Sequence, residues 1–293
     1  MSELLVPFAY DYMVKAMWVS ALVGATCAFL SAYLMLKGWS LMGDALAHSI
    51  VPGVAGAYML KLPYAMGAFF AGLLAALGMA FVRAQTRLKE DAIIGLVFTS
   101  FFAAGLLLVS LYPTSVNVQS IVLGNILGIS DSDVVQVVII SVVTLAVMTA
   151  KWKDMMAVFF DEAHAQSIGL SPFWMKILFF TLLSAAVVAA LQTVGACLVI
   201  AMVVTPGATA YLLTDRFGHL IIIAVALGAV TSFVGAYISY FLDGAPGGVI
   251  VTLQTLIFLA AFYLAPKHGV LAAQRKLASL QARGGPNNQD QPT

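Results

Sequence analysis

The chain has 293 residues, of which 62% are hydrophobic and only 9% are charged, and its mean hydropathy is +1.00. Soluble domains carry roughly 25% charged residues and cannot bury this much apolar surface in one core, so the composition excludes a soluble globule and describes a polytopic membrane protein. A net charge of +1 provides no global field to attract nucleic acid.

The opening residues, MSELLVPFAYDYMVK, lack a basic n-region and a small-residue cleavage site. The first apolar run is therefore expected to remain as a membrane span, with residues 1–15 as an external segment. Each crossing of about 30 Å of hydrocarbon needs about 20 apolar residues. Cutting the chain at charges and at Pro or Gly turns predicts spans near Ala16 to Leu36, Gly38 to Leu60, Leu62 to Val82, Ala92 to Tyr112, Val134 to Ala150, Phe173 to Gln192, Gly195 to Leu213, His219 to Phe241 and Gly247 to Ala265. The fold class is thus an all-α transmembrane bundle of about nine crossings over residues 16–265. The uncharged stretch from Ala92 to Ser130 exceeds one crossing, and its surplus, VNVQSIVLGNILGIS, is read as a short helix in the interface or re-entering the membrane.

With an external N-terminus, twelve of the fourteen Lys and Arg residues fall on the cytoplasmic side, and Lys15 and Lys61 stay outside. The C-terminus is then cytoplasmic. Residues 266–293 read as a tail, disordered from about 284, where GGPNNQDQPT has no apolar content to bury.

The second span holds the most informative residues. Between Lys37 and Lys61 the only Asp, Glu, His, Lys or Arg residues are Asp44 and His48, four positions apart and so on one face of a helix. A carboxylate and an imidazole at bilayer depth are costly unless they face a path or a partner. A rise of 1.5 Å per residue sets His48 roughly 16 Å from the Lys37 end, near the midplane. Mixed oxygen and nitrogen donors suit Mn²⁺, Fe²⁺ or Zn²⁺, whereas Mg²⁺ and Ca²⁺ prefer oxygen alone. Pro52 and Gly53 follow one turn later, and Pro206 and Gly207 interrupt LVIAMVVTPGATAYLL. Each site is expected to kink or open its helix, either to expose carbonyls along a path or for packing.

Two cytoplasmic connections differ in character. RAQTRLKED suits an ordinary solvated loop. KWKDMMAVFFDEAHAQSIGLSPFWMK, residues 151–176 with the connection itself at about 151–172, mixes Phe159, Phe160, Ile168 and Leu170 with Asp161, Glu162 and His164, and reads as a short amphipathic helix, ended by Gly169, that docks a soluble partner or lies on lipid headgroups. Gly124 with Gly128, and Gly244 with Gly248, have small-xxx-small spacing suited to close helix packing. Cys27 and Cys197 lie within apolar runs and read as small buried hydrophobes.

The segments LKGWSLMGDALAHSIVPGVA, RLKEDAIIGLVFTSFFAAGLLLVS, NVQSIVLGNILGIS, FFDEAHAQSIGL and QTVGACLVIAMVVTPGATAYLLTDRF resemble the permeases of metal-importing ABC transporters, the bacterial group for manganese, iron and zinc uptake. The likeness runs from about Met13 to His268 and is closest to Yfe/Sit-type iron and manganese importers. It implies a type II importer-like permease in the bacterial inner membrane, paired with a second copy or a paralogue. Two cytoplasmic ATP-binding subunits and an external metal-binding protein complete the assembly that it implies. It further implies that Asp44 and His48 line the path, and that Asp161, Glu162, Ala163, His164, Gly169 and Leu170 belong to a coupling helix gripped by the ATPase.

One Asp and one His offer a metal too few ligands for tight coordination, and a two-fold axis between permeases would double the set. Ligation needs a neutral imidazole, so transport is expected to weaken in acid. The chain has no GxxxxGK[ST] sequence to cradle ATP and no nucleophile–base set, so it is expected to be a transport subunit rather than an enzyme, with no cofactor of its own. The alternatives are a proton-coupled secondary metal transporter and an ABC permease for a metal chelate. Lys15, Lys61, Asp131 and Asp133 are candidates, by side alone, for docking the external protein.

Overall fold

The computed structural model describes residues 3–111 and 129–265, and all regular structure in them is helical. After a 3-10 turn, Glu3–Ala9, come α1 (Asp11–Lys37), α2 (Met42–Ser49), α3 (Val51–Met59), α4 (Tyr64–Gln85), α5 (Glu90–Leu111), α6 (Asp131–Phe160), α7 (Glu162–Ser167), α8 (Pro172–Val194), α9 (Ala196–Leu213), α10 (Phe217–Leu242) and α11 (Pro246–Leu264).

Among the described residues seven helices, α1, α4, α5, α6, α8, α10 and α11, are long and apolar enough to cross a membrane. The expected nine crossings are thus not established by helix length. The second is not one helix but two short ones, and the seventh, α9, is short. Proline explains the break. Pro52 has no N–H to donate, and in a continuous helix its ring would press on the carbonyl four residues back, which is that of His48. Here the His48 carbonyl takes the Ile50 N–H instead, and α3 restarts with Pro52 in its first turn, where a missing N–H costs nothing. Pro206 behaves differently. α9 runs through it uninterrupted, so the expected opening of that helix is absent, and the Ser31 hydroxyl takes the Gly207 N–H at 3.1 Å beside it.

α1 is the central helix, packed along α9 and α10 on one side and against α6 and α8 on the other. Lipid tails are as apolar as leucine, so these contacts rest on close packing and on the few polar links between helices. Met17, Leu30, Tyr33 and Leu34 are fully buried, and the Tyr33 ring meets Phe159, Phe179 and Phe217 while its hydroxyl donates to the Trp152 carbonyl at 3.0 Å. Cys27 is buried as expected, whereas the side chain of Cys197 lies outside those described. Trp18, Phe70, Leu74, Ile139 and Ile222 face outward from the bundle.

At 27 residues, α1 is about 40 Å long. It separates two charged ends: Lys15 pairs with Asp131 at 2.7 Å at one, and Lys37, Arg83, Glu90, Glu162 and Lys176 gather at the other. α1 begins at Asp11, so part of the expected external segment is already helix. Likewise α6 does not stop near Ala150 but continues to Phe160, because nothing between them breaks a helix and Lys151 and Asp154 pair at 3.1 Å along its surface.

The tightest crossing described is α3 on α4. A Cβ placed on Gly53 would stand 2.0 Å from the Gly67 carbonyl oxygen, and one on Gly67 would stand 2.1 Å from that of Gly53. Within the protomer Gly244 and Gly248 make no close helix contact: Gly244 precedes α11, and a Cβ on Gly248 would meet nothing within 4 Å. The expected re-entrant segment, apart from residues 129 and 130, the Gly124–Gly128 pair and the 266–293 tail lie outside the described residues.

Candidate functional site

α2 is a helix of eight residues with two faces. Met42, Gly43, Ala45, Leu46, Ala47 and Ser49 are buried, with Gly43 set directly against Val203 of α9, while Asp44 and His48 occupy the opposite side. Their side chains are 38% and 32% exposed, so they are neither sealed inside the protomer nor fully free. The i,i+4 spacing brings them together: His48 Nδ1 lies 3.0 Å from Asp44 Oδ1 and 3.1 Å from the Asp44 backbone oxygen. Among the described residues no third His, Cys, Asp or Glu joins them in a metal-sized cluster.

Both ends of α2 are held. After it comes the Pro52 break. Before it stands Trp39, almost wholly buried, stacked on Phe180, edge-on to Phe159, covered by the Arg83 guanidinium 5.0 Å from its ring, and donating its indole N–H to Glu90. Glu90 also pairs with Arg83 at 2.6 Å. The RAQTRLKED connection is therefore only partly a solvated loop. Arg87, Leu88 and Lys89 are exposed, but its two ends clamp the indole. A second contact was also not legible from spacing alone: Phe98 and Phe102, one turn apart on α5, stand against the His48 ring with centroids at 5.5 and 5.7 Å. The run FTSFF held the signal, but nothing in it points to α2.

The helix in the segment expected to couple to a partner is shorter than an amphipathic helix over the whole stretch would be. Phe159 belongs to α6 and is buried, Leu170 is half-buried, and α7 covers only Glu162–Ser167. Asp161 caps α7, its carboxylate accepting the Ala163 and His164 N–H groups at 2.9 and 3.1 Å. At the other end Gly169 has φ +86°, the left-handed conformation that lets its own N–H and that of Leu170 fold back on the Gln166 and Ala165 carbonyls. Ala165 faces inward, and Phe160, Ala163, His164 and Ile168 face outward, so the apolar side is not wholly hidden.

Glu162 ties α7 to the bundle through Lys176 at 2.6 Å and Lys37 at 3.6 Å. Burial pushes its carboxyl up, but the hydrogen bond and charge of Lys176, with Lys37 and Arg83 behind it, outweigh that and hold it below the usual value. Above this network is a cavity of about 580 Å³ lined by Trp39, Met42, Phe81, Ile94, Phe173 and Phe180 among others. It lies at the charged end, and neither Asp44 nor His48 lines it.

Comparison with known proteins fits this arrangement. A model of the ABC 3 transport family matches residues 9–265. The chain is 74% identical, over 92% of each chain, to the chelated iron transport system membrane protein YfeC of Yersinia pestis. It is 46% identical, over 97% of this chain and 91% of the other, to the manganese transport system membrane protein MntB of a Synechocystis strain. Its structure aligns with a chain of PsaBC from Streptococcus pneumoniae, solved in complex with Fab, at a TM-score of 0.82 and 31% identity, over 93% of this chain and 99% of that one.

Proposed function

This chain belongs to the ABC 3 transport family, and from that premise we propose that it is the membrane-spanning permease of an ATP-driven importer of a divalent transition metal, Mn²⁺ or Fe²⁺, with Zn²⁺ acceptable to the same donors. The observation that carries the reading is the half-open Asp44–His48 pair on a helix that ends at the next residue, Ser49. A protomer that supplies only part of an ion's shell suits an ion that must be held and then released. The names of the iron and manganese relatives supply the choice of metal.

In this reading a second permease, a copy or a paralogue, brings its matching pair to a shared path. ATP-binding subunits engage the outward face of Phe160 to Leu170, and ATP is hydrolysed there rather than in this chain. An external metal-binding protein meets the end marked by Lys15 and Asp131. The assembly sits in the bacterial inner membrane, with the C-terminus in the cytoplasm. Asp44→Ala and His48→Ala are each expected to cut Mn²⁺ or Fe²⁺ uptake at least about tenfold in reconstituted vesicles while the complex still assembles. Unchanged uptake in either variant rejects the site. Loss of uptake on omitting the ATPase subunits separates this mechanism from proton-coupled exchange.

A further inference from the structure

We propose that Phe98 and Phe102 are positioning residues for His48, fixing its ring so that Nδ1 carries the proton and Nε2 presents the lone pair to the metal. This rests on the transport reading for the ligand's identity and on the geometry for everything else.

His48 Nδ1 faces two oxygens, Asp44 Oδ1 at 3.0 Å and the Asp44 backbone oxygen at 3.1 Å. A backbone carbonyl can only accept a hydrogen bond, so the nitrogen between them must donate. In the neutral ring the lone pair then belongs to Nε2. The His χ2 torsion is soft, and hydrogen bonds alone would leave the ring free to swing. The two phenyl rings remove that freedom. They stack on each other at 5.9 Å and 20°, and the imidazole stands nearly perpendicular to both, at 82° and 79°. Being one turn apart on α5, they stand together on one side of the ring, and rotation about χ2 would turn the imidazole out of its near-perpendicular contact with both.

The two members of the pair then have different jobs. A metal on Nε2 lies across the ring from Asp44 Oδ1, so in this rotamer Asp44 orients and polarises the imidazole instead of sharing the ion with it. A carboxylate behind a ligating histidine commonly sets tautomer and basicity in this way. Each protomer thus offers one well-aimed nitrogen, and the rest of the ion's shell is left to the second permease and to water.

The test uses the whole transporter in lipid nanodiscs, labelled with ¹⁵N-histidine, with His48 signals assigned by their loss in His48→Gln. The wild type is expected to show a protonated Nδ1 and an unprotonated Nε2, and added Mn²⁺ to broaden Nε2 first. Phe98→Ala with Phe102→Ala is expected to mix the tautomers and raise the KM for Mn²⁺ uptake about tenfold with the maximal rate unchanged. Phe98→Tyr with Phe102→Tyr keeps both rings and is expected to restore both readouts. Asp44→Asn still offers an accepting oxygen, so it is expected to lose far less uptake than Asp44→Ala. A wild-type His48 protonated on Nε2, or an unchanged tautomer in the double alanine variant, overturns the inference. If that variant does not assemble, the wild-type tautomer and the Asp44→Asn comparison decide. A wild-type complex that carries neither Mn²⁺ nor Fe²⁺ defeats the transport reading instead, while the nitrogen signals still report on the ring.

Discussion

Substituting Gly67 with alanine tests how closely the second half of the broken crossing is held. The new methyl would stand 2.1 Å from the Gly53 carbonyl oxygen and 2.6 Å from the Ala57 Cβ, whereas real Cβ contacts essentially never fall below 3.0 Å. Neither neighbour is a flexible side-chain end, so α3 and α4 must separate by about 1 Å at their crossing. Overpacking of this kind costs about 1–3 kcal/mol. Alanine's better helix propensity returns up to about 1 kcal/mol, which from the middle of that range leaves a net loss of about 1 kcal/mol. Gly78 on the same helix is the control. A Cβ there meets nothing within 4 Å, so Gly78→Ala is expected to be neutral or stabilising by about 0.5–1 kcal/mol. Equilibrium unfolding in mixed detergent micelles reads both. Gly53→Ala clashes with the same crossing, and one separation of the helices makes room for both methyls, so the double variant is expected to cost clearly less than the two singles together. A Gly67→Ala protein as stable as Gly78→Ala, or strict additivity with Gly53→Ala, refutes the close crossing.

Two further outcomes bear on the charged end. Glu162 has a carboxyl held below its ordinary value of 4.5. Its contribution to stability is therefore complete above that value and is lost as pH falls through the lower folded one, so a thermal-stability profile in acid is expected to be flatter for Glu162→Gln than for the wild type. Gly169→Ala places a side chain at φ +86°, which costs about 1–2 kcal/mol. That strain is confined to the turn after α7, so the bundle is expected to stay folded while ATP hydrolysis proceeds without uptake. Normal coupling in this variant would show that the ATPase contact lies elsewhere.

Much of this molecule was legible in its residues because the constraint is simple. With 9% charged residues and long apolar runs, the chain has little alternative to membrane helices, and an Asp and a His four apart must share a face. The five ordered segments also pointed to the family that matches residues 9–265. Composition could not settle continuity. Pro52 begins a new helix and Pro206 lies inside a continuous one, a difference that residue type alone does not contain. Hydropathy likewise stopped the fifth span near Ala150, since it senses where lipid ends and not where a helix does; α6 continues to Phe160.

The pairing of side chains across long sequence distances was decided only by tertiary structure. Glu90 looked like a loop charge until Trp39, 51 residues away, was found donating to it. Nothing in the apolar run around Phe98 and Phe102 tells which neighbour they meet; the packing of α5 on α2 sets them against His48. Local spacing determines which side chains share a helix face, because the 3.6-residue period is intrinsic to the backbone. Which helix that face meets is settled by how all the surfaces fit at once, and no window along the chain contains that information.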